Sequence, residues 1–317
     1  MKYYGSLIVF WLLAGLALAT EKTPIRIGVQ ATGTVAWELA VLQTLETDFD
    51  VVVKDIANPE AGRAALQAGD VDMVVSDWLW VARQRASGAD YRFYPYSSTS
   101  GALVVAKGSP IFSIKDLPGK RLGIVGSEGD KNWLLLQALG KKQHLDLNSS
   151  VEKMMGAPAL LTEKLHQHKL DAVLTHWHFA ARLEAEGYRQ VITGQEILNV
   201  LGITKNAPTL GYVFKESWAA AHKLAVNHFL TANLQAKNQL CTSDTAWKNI
   251  LRLTGTDDPA THIRLRHYYC AGNISHWGGQ EQQAIADSYK LLHGLASAQF
   301  GHLPEHLPSG IFWVVEK

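Results

Sequence analysis

Short apolar runs rich in β-branched residues alternate with segments of helical periodicity along the first two thirds of the chain. Between two such runs, Ala61, Ala64, Ala65 and Ala68 recur at helical spacing, and Gly69 follows as a stop signal. Alternating strands and helices predict parallel sheets with helices on both faces. The runs that predict strands are Ile25–Val29, Val51–Ile56, Met73–Val75, Leu103–Ala106, Arg121–Val125 and Ala172–Leu174.

The pattern becomes mainly helical after residue 210. An apolar stripe of helical spacing extends from Trp218 to Ala236, and further helical stretches cover Thr245–Leu253 and Glu281–Ala298. The predicted fold class is therefore α/β with a helical C-terminal third.

An internal repeat divides the chain into two similar units. Residues 72–83 and 171–182 share Asp, Val, Ser or Thr, Trp, Ala and Arg at an offset of 99, and related strand and Trp motifs begin at Arg26 and Arg121. A unit built twice predicts two similar α/β lobes joined by a hinge. Turn residues at 107–110 and 205–209 indicate the crossings between lobes. We therefore expect lobe 1 to comprise 20–106 and 208–317, and lobe 2 to comprise 107–207.

The N-terminus has the features of a cleavable signal peptide over residues 1–19. Lys2 precedes an apolar run, and Ala17-Leu18-Ala19 is the small-x-small pattern that signal peptidase accepts. The run is shorter than the ~20 residues that a membrane-spanning helix needs. We expect an exported, periplasmic protein. In that oxidising compartment Cys241 and Cys270 are expected to form a disulfide, the alternative being two buried thiols that never meet.

Composition and motifs exclude several functions. The chain has 30 Lys and Arg against 29 Asp and Glu, and this balance argues against nucleic acid as a partner. His176-Trp177-His178 could chelate a metal, but no metal-ligand motif accompanies it. No nucleophile elbow or P-loop is present either. We therefore expect no catalytic residues, no cofactor and no metal.

Four segments follow predicted strands, where ligands bind in open α/β sheets, and the repeat makes them two matched pairs. Thr34 and Asp130 are predicted helix caps, Ser76 and Thr175 supply hydroxyls, and tryptophans supply aromatic faces. The alternative for a tryptophan in a first helical turn, such as Trp37 or Trp133, is a place in the core. The candidate ligand-binding residues are Thr32, Gly33, Thr34, Trp37, Ser76, Asp77 and Trp78 in lobe 1, and Ser127, Glu128, Asp130, Thr175, His176 and Trp177 in lobe 2.

Several motifs resemble a known family when their order and spacing are considered together. They are Ile27-Gly28-Val29-Gln30, Leu66–Asp72, Gly108-Ser109-Pro110-Ile111, Lys115–Lys120 and Leu170–Val173. Over residues 24–215 the chain resembles the NMT1/THI5-like periplasmic substrate-binding proteins of ABC importers for nitrate, sulfonates, taurine and thiamine precursors. The resemblance implies a type II periplasmic-binding-protein-like fold, and a monomer that captures a small molecule and delivers it to an ABC permease in the inner membrane. The alternative is a periplasmic accessory protein on the same fold that partners a secreted enzyme.

The charge pattern of the candidate site bears on the ligand. Asp77, Glu128 and Asp130 predict an acidic or neutral cleft, which favours a cationic or neutral heteroaromatic ligand over a sulfonate. In the alternative, Asp130 only caps its helix, Glu128 points to solvent and Asp77 bonds its own turn. Lys131 could also swing inward and hold an anion.

Overall fold

The computed structural model describes residues 22–31, 33–205, 207–300 and 303–315. The predicted signal peptide, residues 1–19, and the candidate Thr32 lie outside the described residues. The strands are β1 (Thr23–Gln30), β2 (Phe49–Ile56), β3 (Met73–Ser76), β4 (Tyr91–Ser97), β5 (Ala102–Val105), β6 (Arg121–Val125), β7 (Glu152–Gly156), β8 (Ala172–Thr175), β9 (Arg189–Thr193) and β10 (Leu210–Lys215).

Helices connect these strands and make up most of the chain after β10. They are α1 (Val35–Leu42), α2 (Pro59–Ala68), α3 (Trp78–Ala86), α4 (Lys131–Lys142), α5 (Leu147–Ser150), α6 (Pro158–His166), α7 (Trp177–Ala185), α8 (Gly194–Val200), α9 (Glu216–Ala221), α10 (Lys223–Thr242), α11 (Asp244–Asn249), α12 (Pro259–Ala271) and α13 (Gly279–Phe300). In the ranges that the structure describes, no helix is both long enough and apolar enough to cross a membrane.

Two five-stranded sheets with the same internal order form the framework. The first has the order β2-β1-β3-β10-β4 and the second β7-β6-β8-β5-β9. All six predicted strands are confirmed, but the prediction of purely parallel sheets is wrong. In each sheet the fourth strand in this order, β10 or β5, runs antiparallel to both of its neighbours. These two strands enter from the other lobe and therefore run against the βαβ units.

The first crossing between the sheets lies earlier than the sequence analysis placed it. Strand β5 pairs with β8 and β9 of the second sheet, so the chain crosses at 98–101, between β4 and β5. Assigning residues up to 106 to lobe 1 is therefore wrong by one strand. The turn at 107–110, where the Ser109 N–H donates to the Ala106 carbonyl, lies inside the second lobe. Turn residues mark a reversal of the chain and do not show which sheet the next strand joins.

The internal repeat is present in atomic detail. Arg26 in β1 and Asp72 before β3 form a forked ion pair in which the Arg26 backbone N–H donates to Asp72 Oδ2 at 2.9 Å and Nε donates to the same oxygen at 3.0 Å. Arg121 and Asp171 form the same fork at 2.8 and 3.1 Å in the second sheet. The fork joins the starts of two parallel strands in each lobe, which gives these repeated residues a structural role.

The helical elements agree with their sequence signals in most places. Asn58 caps α2 by accepting the Ala61 N–H, and Gly69 ends it in the left-handed conformation at φ 79°. The apolar stripe from Trp218 is divided into α9 and α10 at His222. The predicted disulfide is confirmed, since Cys241 at the end of α10 is bonded to Cys270 at the end of α12.

The C-terminal third packs on both lobes. Helix α10 lies against α1 of the first lobe, whereas α12 packs on α7 and α13 packs on α4, both in the second lobe. The candidate site residues lie at and just beyond the carboxyl ends of β1, β3, β6 and β8.

Candidate functional site

The end of β3 leads directly into α3 and positions Ser76, Asp77 and Trp78. Asp77 is the N-cap, and its Oδ1 accepts the Trp80 backbone N–H at 2.8 Å. Its Oδ2 accepts from Arg63 Nη2 at 3.2 Å, while Arg63 Nε donates to Ser76 Oγ at 3.3 Å. Asp77 therefore both caps its helix and forms an ion pair with Arg63 of α2.

The charge state of Asp77 follows from these contacts. Burial alone would raise the pKa of the carboxyl, but Arg63, Lys131 and the backbone N–H groups at the start of α3 outweigh burial and lower the pKa below its ordinary value. Asp77 is ionised at neutral pH, and its charge is already shared with two cationic side chains.

The acidic residues of the second lobe do not present free charge to the cleft. Asp130 Oδ1 accepts the backbone N–H of Asn132 at 2.8 Å and caps α4. Glu128 Oε1 accepts from Lys153 Nζ at 2.8 Å, and 47% of the Glu128 side chain is exposed. Ser127 lies in the same exposed loop.

Lys131, the first residue of α4, points inward across the cleft. Its Nζ donates to the carbonyl of Thr209, in the second crossing, and lies 5.6 Å from the ring centroid of Trp78 in the first lobe. Burial lowers the pKa of the ammonium, and Asp77 and Asp130 partly counter that effect. Lys131 at the start of α4 and Arg63 in the middle of α2 therefore both act on Asp77 with positive charge.

The end of β8 leads into α7 in the same way as β3 leads into α3. Thr175 is buried and its Oγ1 has no hydrogen-bond partner among the described residues. His176 occupies the N-cap of α7 without a side-chain cap bond. Burial lowers the pKa of His176, and it lowers the pKa of His178 to about 3 with a further contribution from His176. Both imidazoles are therefore neutral at pH 7.

The tryptophans of the matched pairs are buried, and two of them meet across the lobes. Trp37 of α1 and Trp177 of α7 lie perpendicular, with ring centroids 6.4 Å apart, and are 3% and 9% exposed. Trp247 and Tyr269 complete this aromatic cluster around Trp37. Trp78 lies elsewhere, 2% exposed, with its Nε1 donating to the Pro208 carbonyl at 3.1 Å.

Thr34, at the N-cap of α1, does not cap its helix with its side chain. Its hydroxyl lies 2.8 Å from that of Tyr96, which donates to Glu38 Oε1 at 2.8 Å. Lys237 Nζ lies 3.2 Å from the same oxygen. Gly33 makes the tight turn before Thr34, and a Cβ there would lie 3.2 Å from the Gln30 carbonyl.

The lobes are in close contact in this structure. Tyr268 of α12 donates to Glu184 of α7 at 2.7 Å, and Arg264 lies 3.3 Å from Glu184. The cavity beside Lys131, lined also by Trp78 and Thr209, has a volume of about 10 Å³, which is room for about one water molecule.

Residues of the matched segments therefore meet across the lobes at two places, Trp37 with Trp177 and Lys131 with Trp78. Arg63 was not predicted, because 14 residues and a strand separate it from Asp77 and no local pattern links them. The contribution of Lys131 could be predicted from its position as the first residue of a helix that begins at the cleft.

Comparisons with known proteins agree with this architecture. The model of a family described as NMT1/THI5 like matches residues 46–243. Among curated proteins, no sequence matches significantly.

Solved structures with the same fold include proteins described as sulfonate-binding. The alkanesulfonate-binding protein of Xanthomonas axonopodis pv. citri, bound to MOPS, is 19% identical with a TM-score of 0.72, and the match covers 92% of this chain and 99% of that one. The periplasmic aliphatic sulphonate binding protein of Escherichia coli is 17% identical with a TM-score of 0.68 and coverages of 89% and 95%. An ABC transporter structure from Parabacteroides distasonis is 15% identical with a TM-score of 0.66 and coverages of 93% and 100%.

Proposed function

The chain belongs to the NMT1/THI5-like family of substrate-binding proteins, and on that premise we propose that it captures a small organic molecule between its lobes and delivers it to an ABC permease in the inner membrane. The observation that carries the proposal is that residues of the matched segments meet across the lobes: the ring centroids of Trp37 and Trp177 are 6.4 Å apart, and Lys131 Nζ lies 5.6 Å from the Trp78 ring centroid. Binding without chemical conversion is the proposed activity, so the protein is not an enzyme.

The proposed location is the periplasm. The apolar run and the Ala17-Leu18-Ala19 pattern favour export, and a disulfide between Cys241 and Cys270 suits an oxidising compartment.

The ligand class that we propose is a small organic anion. The carboxylates that favoured a cationic or neutral heteroaromatic ligand all have partners: Asp77 pairs with Arg63, Asp130 caps α4 and Glu128 pairs with Lys153. A cation entering the cleft would meet the charges of Lys131 and Arg63. An anion would add to the partial counter-charge that Asp77 and Asp130 already supply to the Lys131 ammonium. The sulfonate-binding descriptions of two proteins with this fold support the same class.

Calorimetric titration with matched ligands tests this proposal. An alkanesulfonate, the amine of equal chain length and a neutral pyrimidine are titrated into the mature protein. Binding of the sulfonate with no response to the amine is expected, and Lys131→Met is expected to weaken it at least tenfold because the counter-charge is lost. Micromolar binding of the amine or pyrimidine with no response to the sulfonate would restore the cationic or heteroaromatic class.

A second function, that of an accessory protein to a secreted enzyme, is favoured by one observation. The cleft is closed, with about 10 Å³ beside Lys131, and contacts such as that between Tyr268 and Glu184 hold the lobes together. A partner protein needs no ligand cavity. Failure of a broad panel of anions, cations and neutral solutes to raise the melting temperature would favour this second function.

A further inference from the structure

Lys131 places an ammonium group where three separate parts of the fold meet. Its Nζ donates to the Thr209 carbonyl in the second crossing and lies 5.6 Å from the Trp78 ring centroid in the first lobe. Asp77 and Asp130 supply the opposite charge that acts on it, and Arg63, which pairs with Asp77 at 3.2 Å, acts against them. Lys131 itself belongs to α4 of the second lobe, so its side chain bridges the cleft.

These surroundings are those of a site for a primary ammonium. An aromatic face attracts a cation through the ring quadrupole, a carbonyl accepts one of its N–H groups, and a carboxylate supplies charge. Trp78 and Thr209 are both nearly fully buried, so water competes weakly for the cation. Ser288 and Leu292 of α13 line the same small cavity.

We propose that the first lobe and the second crossing form an ammonium-binding site that Lys131 fills as a tethered occupant, and that this occupancy holds the lobes closed when no solute is bound. The inference rests on the proposed function in one respect, that the cleft is the solute site. A solute must draw Lys131 away from Thr209 and Trp78. The apparent affinity of the protein for the solute is therefore lowered in proportion to the fraction of molecules in which Lys131 occupies the ammonium site.

Lys153 provides a matched comparison on the same lobe. Its ammonium also has specific partners, Glu128 Oε1 at 2.8 Å and Asn148 Oδ1 at 2.6 Å. Both partners are exposed and belong to the second lobe, so Lys153 makes no contact between the lobes. Substituting Lys153 with alanine therefore leaves no enclosed cavity.

Chemical rescue tests the site directly. Lys131→Ala removes the atoms that propylammonium contains, and thermal unfolding is followed in increasing propylammonium, with propanol at equal concentration as the neutral control. We expect propylammonium to raise the Tm of Lys131→Ala by about 2–4 °C, and to leave the wild-type protein and Lys153→Ala unchanged. Lys131→Met, which fills the space with an apolar chain, should not respond either.

Two results would overturn the inference. One is an equal response of Lys131→Ala to propanol and propylammonium, which would mean that only a cavity is filled. The other is an equal response of wild type, Lys153→Ala and Lys131→Ala, which would mean that the amine acts on the whole surface.

Reductive methylation of the wild-type protein covers the case in which Lys131→Ala does not fold. Peptide mapping should show Lys131 modified at least tenfold more slowly than Lys153 in the absence of solute, and equal rates would contradict the occupancy. Both experiments are independent of the solute: the proposed function fails if no solute binds, whereas the inference fails if the amine rescue and the protection are absent.

Discussion

Glu38 is a fully buried carboxylate whose charge is stabilised by residues from three other elements. Its Oε1 accepts the hydroxyls of Tyr96 at 2.8 Å and Tyr269 at 2.6 Å, and Lys237 Nζ lies 3.2 Å away. Burial, followed by the charge of Glu38, raises the pKa of both tyrosines well above the ordinary value, so both remain protonated donors. Through Tyr96 this network reaches Thr34 at the cleft.

Replacing only one member of the Glu38–Lys237 ion pair should lower the free energy of unfolding far more than replacing both. Lys237→Met leaves a buried carboxylate without its counter-charge, and we expect it to lower the free energy of unfolding by about 3–5 kcal/mol. Glu38→Gln combined with Lys237→Met should recover at least half of that loss. Denaturant unfolding of the single and double variants measures the difference.

Lys54→Met is the matched control for this cycle. Lys54 lies 3.3 Å from Asp70, and both side chains are about half exposed. The control should change stability by about 0.5 kcal/mol or less. A double variant no more stable than Lys237→Met would contradict the assigned role of the pair.

Single residues could be predicted from the sequence where the cause is local. The cap at Asp130 is such a case, because an acidic residue just before a helix bonds N–H groups two or three positions on. The cap predicted at Thr34 is wrong for its side chain, which bonds Tyr96 instead. The Arg63 contact with Asp77 and the meeting of Trp37 with Trp177 depend on how distant segments pack. No short-range pattern encodes them.

At the scale of elements, α12 connects parts that the sequence keeps apart. It packs on α7 of the second lobe, where Tyr268 donates to Glu184, and its end is bonded to α10 through Cys270. Directly after the helix, the Gly272 carbonyl accepts the Ser98 N–H at 3.0 Å, in the first crossing. The disulfide therefore fixes α12 beside a crossing between lobes.

Removing the disulfide should affect that crossing as well as overall stability. We expect Cys241→Ser with Cys270→Ser to lower the free energy of unfolding by about 3–4 kcal/mol, from the chain entropy of the loop that the bond closes. Hydrogen exchange measured by mass spectrometry should quicken at 98–101 more than in β6, because α12 no longer holds the crossing. Tyr268→Phe keeps the disulfide and removes only the hydroxyl that donates to Glu184, so this variant is the control for that contact. Uniform quickening throughout the chain would count against this local role.

Elements were predictable where the repeat and the β-branched runs coincide, as in β1, β3, β6 and β8. Strands β4, β7, β9 and β10 were missed, and β5 was assigned to the wrong lobe. The position of such a strand is decided by the strands with which it pairs. Strand β5 follows the first lobe along the chain but pairs in the second sheet, and β10 follows the second lobe but pairs in the first sheet. A local apolar pattern predicts a strand and does not predict its neighbours.

At the scale of the whole molecule, the contact between Trp37 and Trp177 joins the lobes. Trp177→Ala should lower the free energy of unfolding by about 3–5 kcal/mol. It should also loosen the closed arrangement, because the variant removes a large ring from the contact between the lobes. Small-angle scattering should show a larger radius of gyration for this variant. Trp133→Ala, which removes a fully buried ring within the second lobe, should destabilise similarly at unchanged radius. Equal radii for the two variants would mean that Trp177 acts only as core.

The exchange of β5 and β10 between the sheets has a consequence for synthesis on the ribosome. The second sheet consists of residues 102–193, one uninterrupted stretch of chain. The first sheet lacks its fourth strand until Leu210–Lys215 has emerged, and without it β4 has no neighbour in that sheet. The lobe that begins first is thus completed last. Until then, the unpaired edges of β3 and β4 are the segments of the nascent chain most exposed to misassembly during translation.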